Sequence, residues 1–374
     1  MFDQTKNGRS TLEPVDAGTH SLAEILSQPA CWSGCLKDLR ENGMLQRVSE
    51  RFDGTSGWLF IGCGSSYYVA LAAAATVTSL TGLPAHAVPA SEILLYPELV
   101  LVAMRDYVPV LISRSGRTSE VLRAAELLKS RNISTLAITC APGQPLEKLA
   151  AMVVSLPRAD ERSTVMTRSF SSMLLAVQEL AALLAKNSEF CDSLHKMPAS
   201  AAALLQPLPT KIRDFVRTHR FADYVCLGQG PFYGLACEYA LKVTEMALSY
   251  AQSFHTLEFR HGPKSIVGPE TLLVFLLSES GYQAECEVLE EMKSLGGTTL
   301  VVVNKADARV RAAADLLVEL RLEAPELAGL GPHLFPGQLL GLYTGLHKGL
   351  DPDSPRNLSR VVTLEHDDDD GRAR

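Results

Sequence analysis

An internal repeat constrains the fold of this chain more than any other feature. The segment GWLFIGCGSSYYVALAAA at 57–74 resembles DYVCLGQGPFYGLACEYA at 223–240, an offset of 166 residues. Farther along, VLISRSGRTSEV matches VFLLSESGYQAE, and Gly116 aligns with Gly281 at an offset of 165. Two offsets that agree within one residue indicate a duplicated unit.

Each copy alternates continuous apolar strands with helical patterns, and this arrangement indicates a parallel sheet covered on both faces. We therefore predict an α/β protein with two tandem doubly wound parallel-sheet domains. The predicted strands are 57–62, 85–89, 109–113, 133–139 and 151–156 in the first copy, and 223–228, 251–256, 271–277, 298–303 and 315–321 in the second.

The length of 374 residues suits two such domains. Helical periodicity is interrupted near 186–212, where prolines stand at 198, 207 and 209, so we expect the linker there. The expected divisions are N-terminal lead-in helices at 1–47, a first unit at 48–190, a second at 211–345, and a C-terminal loop with an acidic tail at 346–374.

Composition excludes several classes of partner. The net charge of −7 argues against a nucleic-acid partner, which would favour a basic domain. No apolar run approaches the roughly 20 residues that a membrane helix needs, and the N-terminus lacks the apolar core of a signal peptide. Eight cysteines without a Cys-x-x-Cys pair are typical of a reducing compartment, so we expect a cytoplasmic protein.

Residues 111–122, LISRSGRTSEVL, run from an apolar strand through a hydroxyl-rich turn into a helix. Parallel sheets bind ligands at the carboxyl ends of their strands, and helix N-termini present unpaired N–H groups. Gly116 lets a ligand approach the backbone. Four hydroxyl donors surround it: Ser113, Ser115, Thr118 and Ser119. The turn therefore suits a phosphate monoester, although simple helix capping would also favour such residues.

A second turn of this kind, GCGSS at 62–66, follows the first strand. A dinucleotide-binding loop would have a glycine at 67, where Tyr67 stands, so we expect no nicotinamide cofactor. Cys31 and Cys35 lie four residues apart without a histidine partner nearby, and we expect no metal site. The candidate ligand-binding residues in this turn are Cys63, Gly64, Ser65 and Ser66.

The chain resembles the sugar isomerase (SIS) domain family, and within it the isomerase half of glucosamine-6-phosphate synthase and the amino-sugar-phosphate isomerase/deaminases. The resemblance implies two flavodoxin-like domains and an enzyme without the synthase's glutaminase domain. The motifs that carry it are CGSS (63–66), SRSGRTSE (113–120), TRSF (167–170), ALKVTEM (240–246), EFRHGPKS (258–265) and DSPRNLSRVVTLE (353–365).

Three charged residues on one helix face are candidates for acid–base chemistry. Glu238, Lys242 and Glu245 are spaced i, i+4 and i+7. A simple helix ion pair would also explain Glu238 and Lys242, whereas apolar residues at 243 and 246–248 would make Glu245 hold a proton more tightly. The resemblance assigns proton transfer to Glu245 and a place in the site to the other two.

The resemblance also implies roles for residues in loops. It makes His261 the ring-opening histidine, contributed by the neighbouring subunit, and so implies a homodimer with a shared site. It adds Arg114 and Thr167 to the ligand contacts. Arg360 stands where the synthase carries an imine-forming lysine, and a guanidinium forms no Schiff base, so we expect Arg360 to contact an anion instead.

These observations predict a phosphosugar isomerase/deaminase that acts on an amino-sugar 6-phosphate and releases ammonia. A second possibility is a fructosamine-6-phosphate deglycase, in which five loop arginines hold another negative group. A third, from a different class, is a non-catalytic sugar-phosphate-binding regulator. The arginines in question are Arg114, Arg117, Arg168, Arg260 and Arg360.

Overall fold

The computed structural model describes residues 17–364 and contains two five-stranded parallel sheets. The strand order is β2-β1-β3-β4-β5 in the first sheet and β7-β6-β8-β9-β10 in the second, which is the same order in both copies. The strands are β1 (Gly57–Gly62), β2 (Ala85–Pro89), β3 (Tyr107–Ile112), β4 (Leu136–Thr139), β5 (Met152–Ser155), β6 (Asp223–Gly228), β7 (Ala251–His255), β8 (Thr271–Leu276), β9 (Thr298–Val303) and β10 (Leu316–Glu319).

Helices cover both faces of each sheet, so the predicted doubly wound fold is confirmed. The α-helices are α1 (Thr19–Leu26), α2 (Gln28–Asn42), α3 (Met44–Arg51), α4 (Ser65–Thr81), α5 (Ala90–Leu95), α6 (Pro97–Leu101), α7 (Ser119–Ser130), α8 (Pro145–Leu149), α9 (Arg168–Leu184), α10 (Ser188–Leu205), α11 (Leu208–Thr218), α12 (Pro231–Ala247), α13 (Tyr282–Ser294), α14 (Ala308–Ala313), α15 (Leu330–His333) and α16 (Phe335–His347). Short 3₁₀ helices span Pro157–Ala159, Glu258–Arg260, Pro263–Ile266 and Glu326–Gly329.

The first strand–helix turn has the same backbone shape in both copies. Gly64 has φ 53° and ψ −129°, and Gly230 has φ 55° and ψ −126°, a conformation that only glycine adopts readily. A Cβ at Gly62 would lie 2.5 Å from the carbonyl carbon of Ser66, and one at Gly228 would lie 2.4 Å from the Phe232 oxygen. Strand and helix therefore approach closely in both units, as a structural duplication requires.

The segment between the two sheets is helical rather than irregular. The region near 186–212, where the sequence pattern is interrupted, contains all of α10 and the start of α11. Pro198 lies inside α10, whereas Pro207 directly precedes α11 and Pro209 is its second residue. Proline is well tolerated in the first turn of a helix, which explains why the broken periodicity did not reveal α11.

Helix α12 packs against α16 with almost no side chains between their backbones. Gly341 and Gly345 of α16 face α12, where an added Cβ would lie 2.7 Å from the Lys242 carbonyl oxygen and 2.2 Å from that of Met246. On another face of α12, a Cβ at Gly234 would lie 2.7 Å from the Tyr68 carbonyl oxygen in α4. Helix α12 thus joins the two units and is fixed closely on two sides.

Replacing Gly341 with alanine tests this contact. The added methyl group raises helix propensity, yet it must push α16 away from the Lys242 carbonyl, and overpacking of this kind destabilises a protein by about 1–3 kcal/mol. We expect a lower midpoint in urea unfolding for Gly341→Ala. Gly268→Ala is the control because no atom lies within 4 Å of its added Cβ. Equal midpoints for both variants would contradict the close packing.

Candidate active site

A cavity of about 190 Å³ lies where strands β1 and β3 of the first unit end. Both serine turns, helix α12 and the C-terminal loop contribute to its wall. Its lining residues are Cys63, Gly64, Ser65, Ser66, Arg114, Ser115, Thr118, Thr164, Met166, Glu245, Leu358, Ser359, Arg360 and Val362. Nine of the fifteen residues proposed from the sequence are among them, so the structure brings the two turns and Glu245 to one place.

The turn after β3 is held in shape from beneath by Ser113. The Ser113 hydroxyl accepts a hydrogen bond from the Gly116 N–H at 3.2 Å and lies 3.4 Å from the Thr118 hydroxyl. Gly116 has φ +60°, and a Cβ there would lie 2.9 Å from the Gln144 Cβ. Ser113 and Gly116 are buried and support the turn, while Ser115 and Thr118 line the cavity.

Helix α7 begins directly after this turn, at Ser119. The N–H groups of its first turn have no partners within the helix, and the helix dipole adds about half a positive charge there. The Ser119 N–H donates to the Val362 carbonyl at 3.2 Å, and the Leu364 N–H donates to the Ser119 hydroxyl at 2.9 Å. The C-terminal loop is thereby attached to the rim of the anion-binding turn.

Lys242 is completely buried between two carboxylates of its own helix. Its Nζ lies 3.2 Å from Glu238 Oε1 and 2.5 Å from Glu245 Oε2, and it also donates to the Ser65 hydroxyl at 3.3 Å. Burial lowers the pKa of Lys242, but the two carboxylates outweigh this effect and the net pKa is raised. The ammonium group therefore stays charged and connects Glu238 to the edge of the cavity.

Glu238 lies behind the cavity wall and is fully buried. Burial raises the pKa of its carboxyl group to about 7, with a further rise from Glu245, although the charge of Lys242 opposes it. Near neutral pH this group can therefore either hold or release a proton. A carboxyl group with such a pKa is the kind that general acid–base catalysis uses.

The surroundings of Glu245 differ from the sequence-based expectation. Val243, Met246 and Ala247 are buried in the core, and they leave Glu245 on the opposite side of α12, facing the cavity with 17% of its side chain exposed. Its carboxylate pairs with Lys242 and is not enclosed by apolar groups. The periodicity of a helix explains the difference, because sequence neighbours point in different directions.

The loop before α9 is organised by a buried carboxylate that sequence reasoning missed. Glu161 accepts hydrogen bonds from the Thr167 N–H at 2.6 Å and the Thr167 hydroxyl at 2.7 Å, and also from the Ser169 hydroxyl. Thr167, expected to contact the ligand, is fully buried and does not line the cavity. Thr164 and Met166 of the same loop line it instead.

Arg114 lines the cavity, but its guanidinium group binds mainly to the protein. It donates to the carbonyls of Thr164 at 2.9 Å, Val165 at 3.2 Å and Arg360 at 3.0 Å, and it lies 3.5 Å from Glu161. Arg114 therefore joins the serine turn to the loop before α9 and to the C-terminal loop.

The other loop arginines are also engaged, with one exception. Arg360 pairs with Asp160 at 2.5 Å. Arg168 donates to the Asp160 carbonyl and the Ser27 hydroxyl, and Arg260 pairs with Glu291 at 2.7 Å. Arg117 is exposed. Arg168, Arg260 and Arg360 therefore stabilise the loops, and within residues 17–364 the loop arginines do not form a cluster of free cations around the cavity.

His261 lies apart from this cavity. It is exposed, at the end of the 3₁₀ helix Glu258–Arg260, and does not line the cavity of its own chain.

The second unit carries a serine turn that its own carboxylates occupy. Glu285 accepts hydrogen bonds from the Ser278 N–H at 2.7 Å and the Ser278 hydroxyl at 3.1 Å. Glu326 accepts from the Glu279 N–H and lies 3.4 Å from the Ser280 hydroxyl. These carboxylates use donors equivalent to those of the first unit, which leaves the first turn as the anion-binding candidate.

Within residues 17–364, no group of three or more histidine, cysteine or acidic side chains is arranged to hold a metal ion. Across the same range, no helix combines the length and the apolar character needed to cross a membrane.

Comparison with known proteins places the chain in a family. The SIS domain profile matches residues 58–183 and 224–332, and the chain belongs to the SIS domain family. It is 28% identical to the glutamine–fructose-6-phosphate aminotransferase (isomerizing) of Bacteroides thetaiotaomicron over 92% of its own length. It spans only 58% of that relative.

Two solved structures share the fold over nearly the whole chain. The glucosamine-6-phosphate deaminase of Thermotoga maritima is 29% identical, with a TM-score of 0.75 over 92% of this chain and 100% of that one. The tagatose-6-phosphate ketose/aldose isomerase of Escherichia coli has a TM-score of 0.81 over 90% of this chain and 95% of its own. Because the isomerase is only 24% identical to this chain, its similarity is evidence for the fold alone.

Because Glu285 is buried in the turn of the second unit, we expect the free energy of unfolding to depend on pH. Burial raises the pKa of Glu285 from 4.5 to about 7, although its hydrogen bonds with Ser278 oppose this. The folded state then binds a proton more tightly than the unfolded state, so the contribution of Glu285 is favourable at low pH and is lost as the pH rises through 7. Glu285 should therefore lower the free energy of unfolding, measured in urea, by about 2–3 kcal/mol between pH 5 and pH 8. Glu285→Gln should abolish this fall.

Glu290→Gln, on the same helix, is the control. Glu290 is exposed and pairs with Arg309, which lowers the pKa of its carboxyl group, so Glu290 stays ionised throughout this range and the pH dependence should not change. If the free energy of unfolding of Glu285→Gln fell with pH as steeply as that of the unmodified protein, Glu285 would not be the group that causes the pH dependence.

Proposed function

We propose that the protein is a phosphosugar isomerase/deaminase, which converts an amino-sugar 6-phosphate to the ketose phosphate and releases ammonia. The observation that carries this proposal is the meeting of an anion-binding turn and an acid–base group in one cavity. Ser115 and Thr118 line it at the start of α7, and Glu245, paired to Lys242, lines it from α12.

The turn would hold the phosphate group of the substrate. The N–H groups that follow Ser119 in the first turn of α7, with the hydroxyls of Ser115 and Thr118, suit a dianionic phosphate. The second turn, at 63–66, offers Ser65 and Ser66 to the sugar hydroxyls in the same cavity. Such hydrogen bonds would fix the open-chain sugar relative to the carboxylate of Glu245.

Glu245 would move the proton. In the open-chain aldose, Glu245 removes the proton from C2, and the C1 oxygen takes the proton that the ammonium group on C2 gives up. Glu245 then returns its proton to C1, and the nitrogen on C2 becomes an iminium group. Water adds to that carbon, ammonia leaves, and a C2 ketone remains. Lys242 would stabilise the negative charge that develops on the oxygen at C1, and Glu238 would exchange a proton with Lys242 or Ser65 near neutral pH.

His261 would open the sugar ring from a neighbouring subunit. Its exposed position outside the cavity of its own chain is compatible with a shared site in a homodimer. The pair formed by Arg360 and Asp160 would keep the C-terminal loop over the substrate.

The comparisons favour this activity. The deaminase from Thermotoga maritima is matched over its whole length at 29% identity. The aminotransferase relatives, whose names describe an isomerising reaction of fructose 6-phosphate, are matched over little more than half of theirs. The internal pairing of Arg114, Arg168, Arg260 and Arg360 weakens the deglycase alternative, since they are not free to hold a second anionic group.

The decisive assay is ammonia release from glucosamine 6-phosphate. We expect turnover by the unmodified chain and a fall in kcat of about 10²- to 10⁴-fold in Glu245→Gln, with little change in binding, because a general base is lost. Glu290→Gln, an exposed change of the same type, should retain full activity.

Other outcomes would reject the proposal. Free amine from a fructosamine 6-phosphate, with no ammonia from any amino-sugar phosphate, would identify a deglycase. Tight binding of sugar phosphates without turnover of any of them would identify a regulator. Normal turnover by Glu245→Gln would remove Glu245 from the chemistry.

A further inference from the structure

A second cavity, of about 330 Å³, lies at the other end of the second sheet. It includes Tyr224, near the start of β6, whereas the carboxyl end of that strand is Gly228. It shares no residue with the cavity described above. Its lining residues are Val216, His219, Arg220, Phe221, Tyr224, Thr344, His347 and Lys348.

The polar lining of this second cavity is made of groups that bind anions. Arg220 and Lys348 are cations, His219 and His347 can donate hydrogen bonds, and no carboxylate is among the lining residues that the structure describes. Lys348 Nζ is fixed by hydrogen bonds to the Ala247 carbonyl at 3.2 Å and the Ser249 hydroxyl at 2.5 Å. A protein with net charge −7 has here a local concentration of positive charge.

Aromatic side chains form one wall of this second cavity. The rings of His219 and Phe221 stack with an interplanar angle of 9°, and Tyr224 meets Phe221 edge-on with the centroids 5.8 Å apart. Phe221 is only partly buried. A half-exposed aromatic ring at the wall of a cavity offers a flat apolar surface to a planar ligand.

A buried hydroxyl group completes the site. Thr344 is 4% exposed, and within the described chain its Oγ1 makes no hydrogen bond of normal length and angle, although the Tyr224 hydroxyl is a neighbour. An unsatisfied buried polar atom costs about 1–3 kcal/mol. A polar atom of a bound molecule would satisfy it.

We propose that this cavity binds a small phosphorylated molecule with a planar ring, of about the size of a nucleoside 5′-monophosphate. Arg220 and Lys348 bind the phosphate group, and the ring lies against Phe221. Thr344 bonds to a polar atom of the ring or sugar. The volume falls at the lower end of the range for small-ligand sites, which suits one nucleotide of this size.

The test is calorimetric titration with the four common nucleoside 5′-monophosphates. The full chain carries Ser115→Ala and Thr118→Ala, so that the anion-binding turn of the first unit does not compete and the outcome is independent of the proposed activity. We expect at least one nucleotide to bind with one site per chain. Its parent nucleoside and inorganic phosphate should each bind at least tenfold more weakly.

Substitutions then locate the site. Arg220→Glu should weaken nucleotide binding at least tenfold, whereas Arg217→Glu, an exposed change on α11 outside the cavity, should not. Thr344→Val keeps the side-chain shape and should weaken binding, and Thr344→Ser should retain it. Thermal unfolding of each variant verifies that it is folded.

Three results would overturn the proposal. The first is no binding of any of the four nucleotides at millimolar concentration. The second is equal weakening by Arg217→Glu and Arg220→Glu, which would indicate general charge attraction. The third is binding to the unmodified chain that is lost in the chain with Ser115→Ala and Thr118→Ala, which would place the nucleotide in the first cavity.

Discussion

The contact between helix α12 and its neighbours α4 and α16 determines where everything else lies. Glycines at 234, 341 and 345 remove the side chains that would separate these helices. Packing at this distance leaves little freedom to shift or rotate α12. The helix therefore presents Lys242 to Ser65 of the first unit, although α12 itself belongs to the second.

That placement explains how a buried ion cluster is tolerated. Burying a charge is costly unless it is paired, and Lys242 is paired on both sides, with Glu238 and Glu245. Because the ammonium group stays charged, the cost of burial falls mainly on Glu238, and the pKa of that carboxyl group is raised to about 7. The result is a proton-exchanging group, Glu238, behind the wall of the cavity, joined through Lys242 to Glu245 in the wall itself.

Much of the fold could be predicted from the sequence because its signals are local. The strands β1, β2, β6 and β9 have the predicted bounds, since each is an apolar run that ends at a glycine, a proline or a turn. The two serine turns were also evident, because hydroxyl groups, a glycine and a following helix are adjacent in the chain. The internal repeat also aligned the turn of the second unit, which contains Ser278. Nothing local revealed that Glu285 and Glu326 would occupy that turn.

The parts that could not be predicted depend on contacts between distant segments. Thr164 and Met166 line the cavity because distant groups bond to the loop that carries them. Glu24 of α1 accepts a hydrogen bond from the Ser163 hydroxyl, Glu161 accepts from Thr167, and Arg114, 50 residues earlier in the chain, donates to the Thr164 carbonyl. The opposite directions of Glu245 and its apolar neighbours follow from helix geometry, and the periodic pattern could have shown this. Helix α11 was hidden because Pro207 and Pro209 lie at its start, where helices accept proline, and α10 was hidden because Pro198 lies in its interior, where proline normally interrupts a helix.

The most direct test of the central claim is to follow the proton during the reaction. Glucosamine 6-phosphate is incubated with the protein in D₂O, and the product is analysed by NMR. If Glu245 transfers a proton that exchanges with solvent, the fructose 6-phosphate formed should carry deuterium at C1, and Glu245→Gln should form both product and deuterated substrate at least about 10²-fold more slowly. Deuterium incorporation by Glu245→Gln at the rate of the unmodified protein would contradict the account.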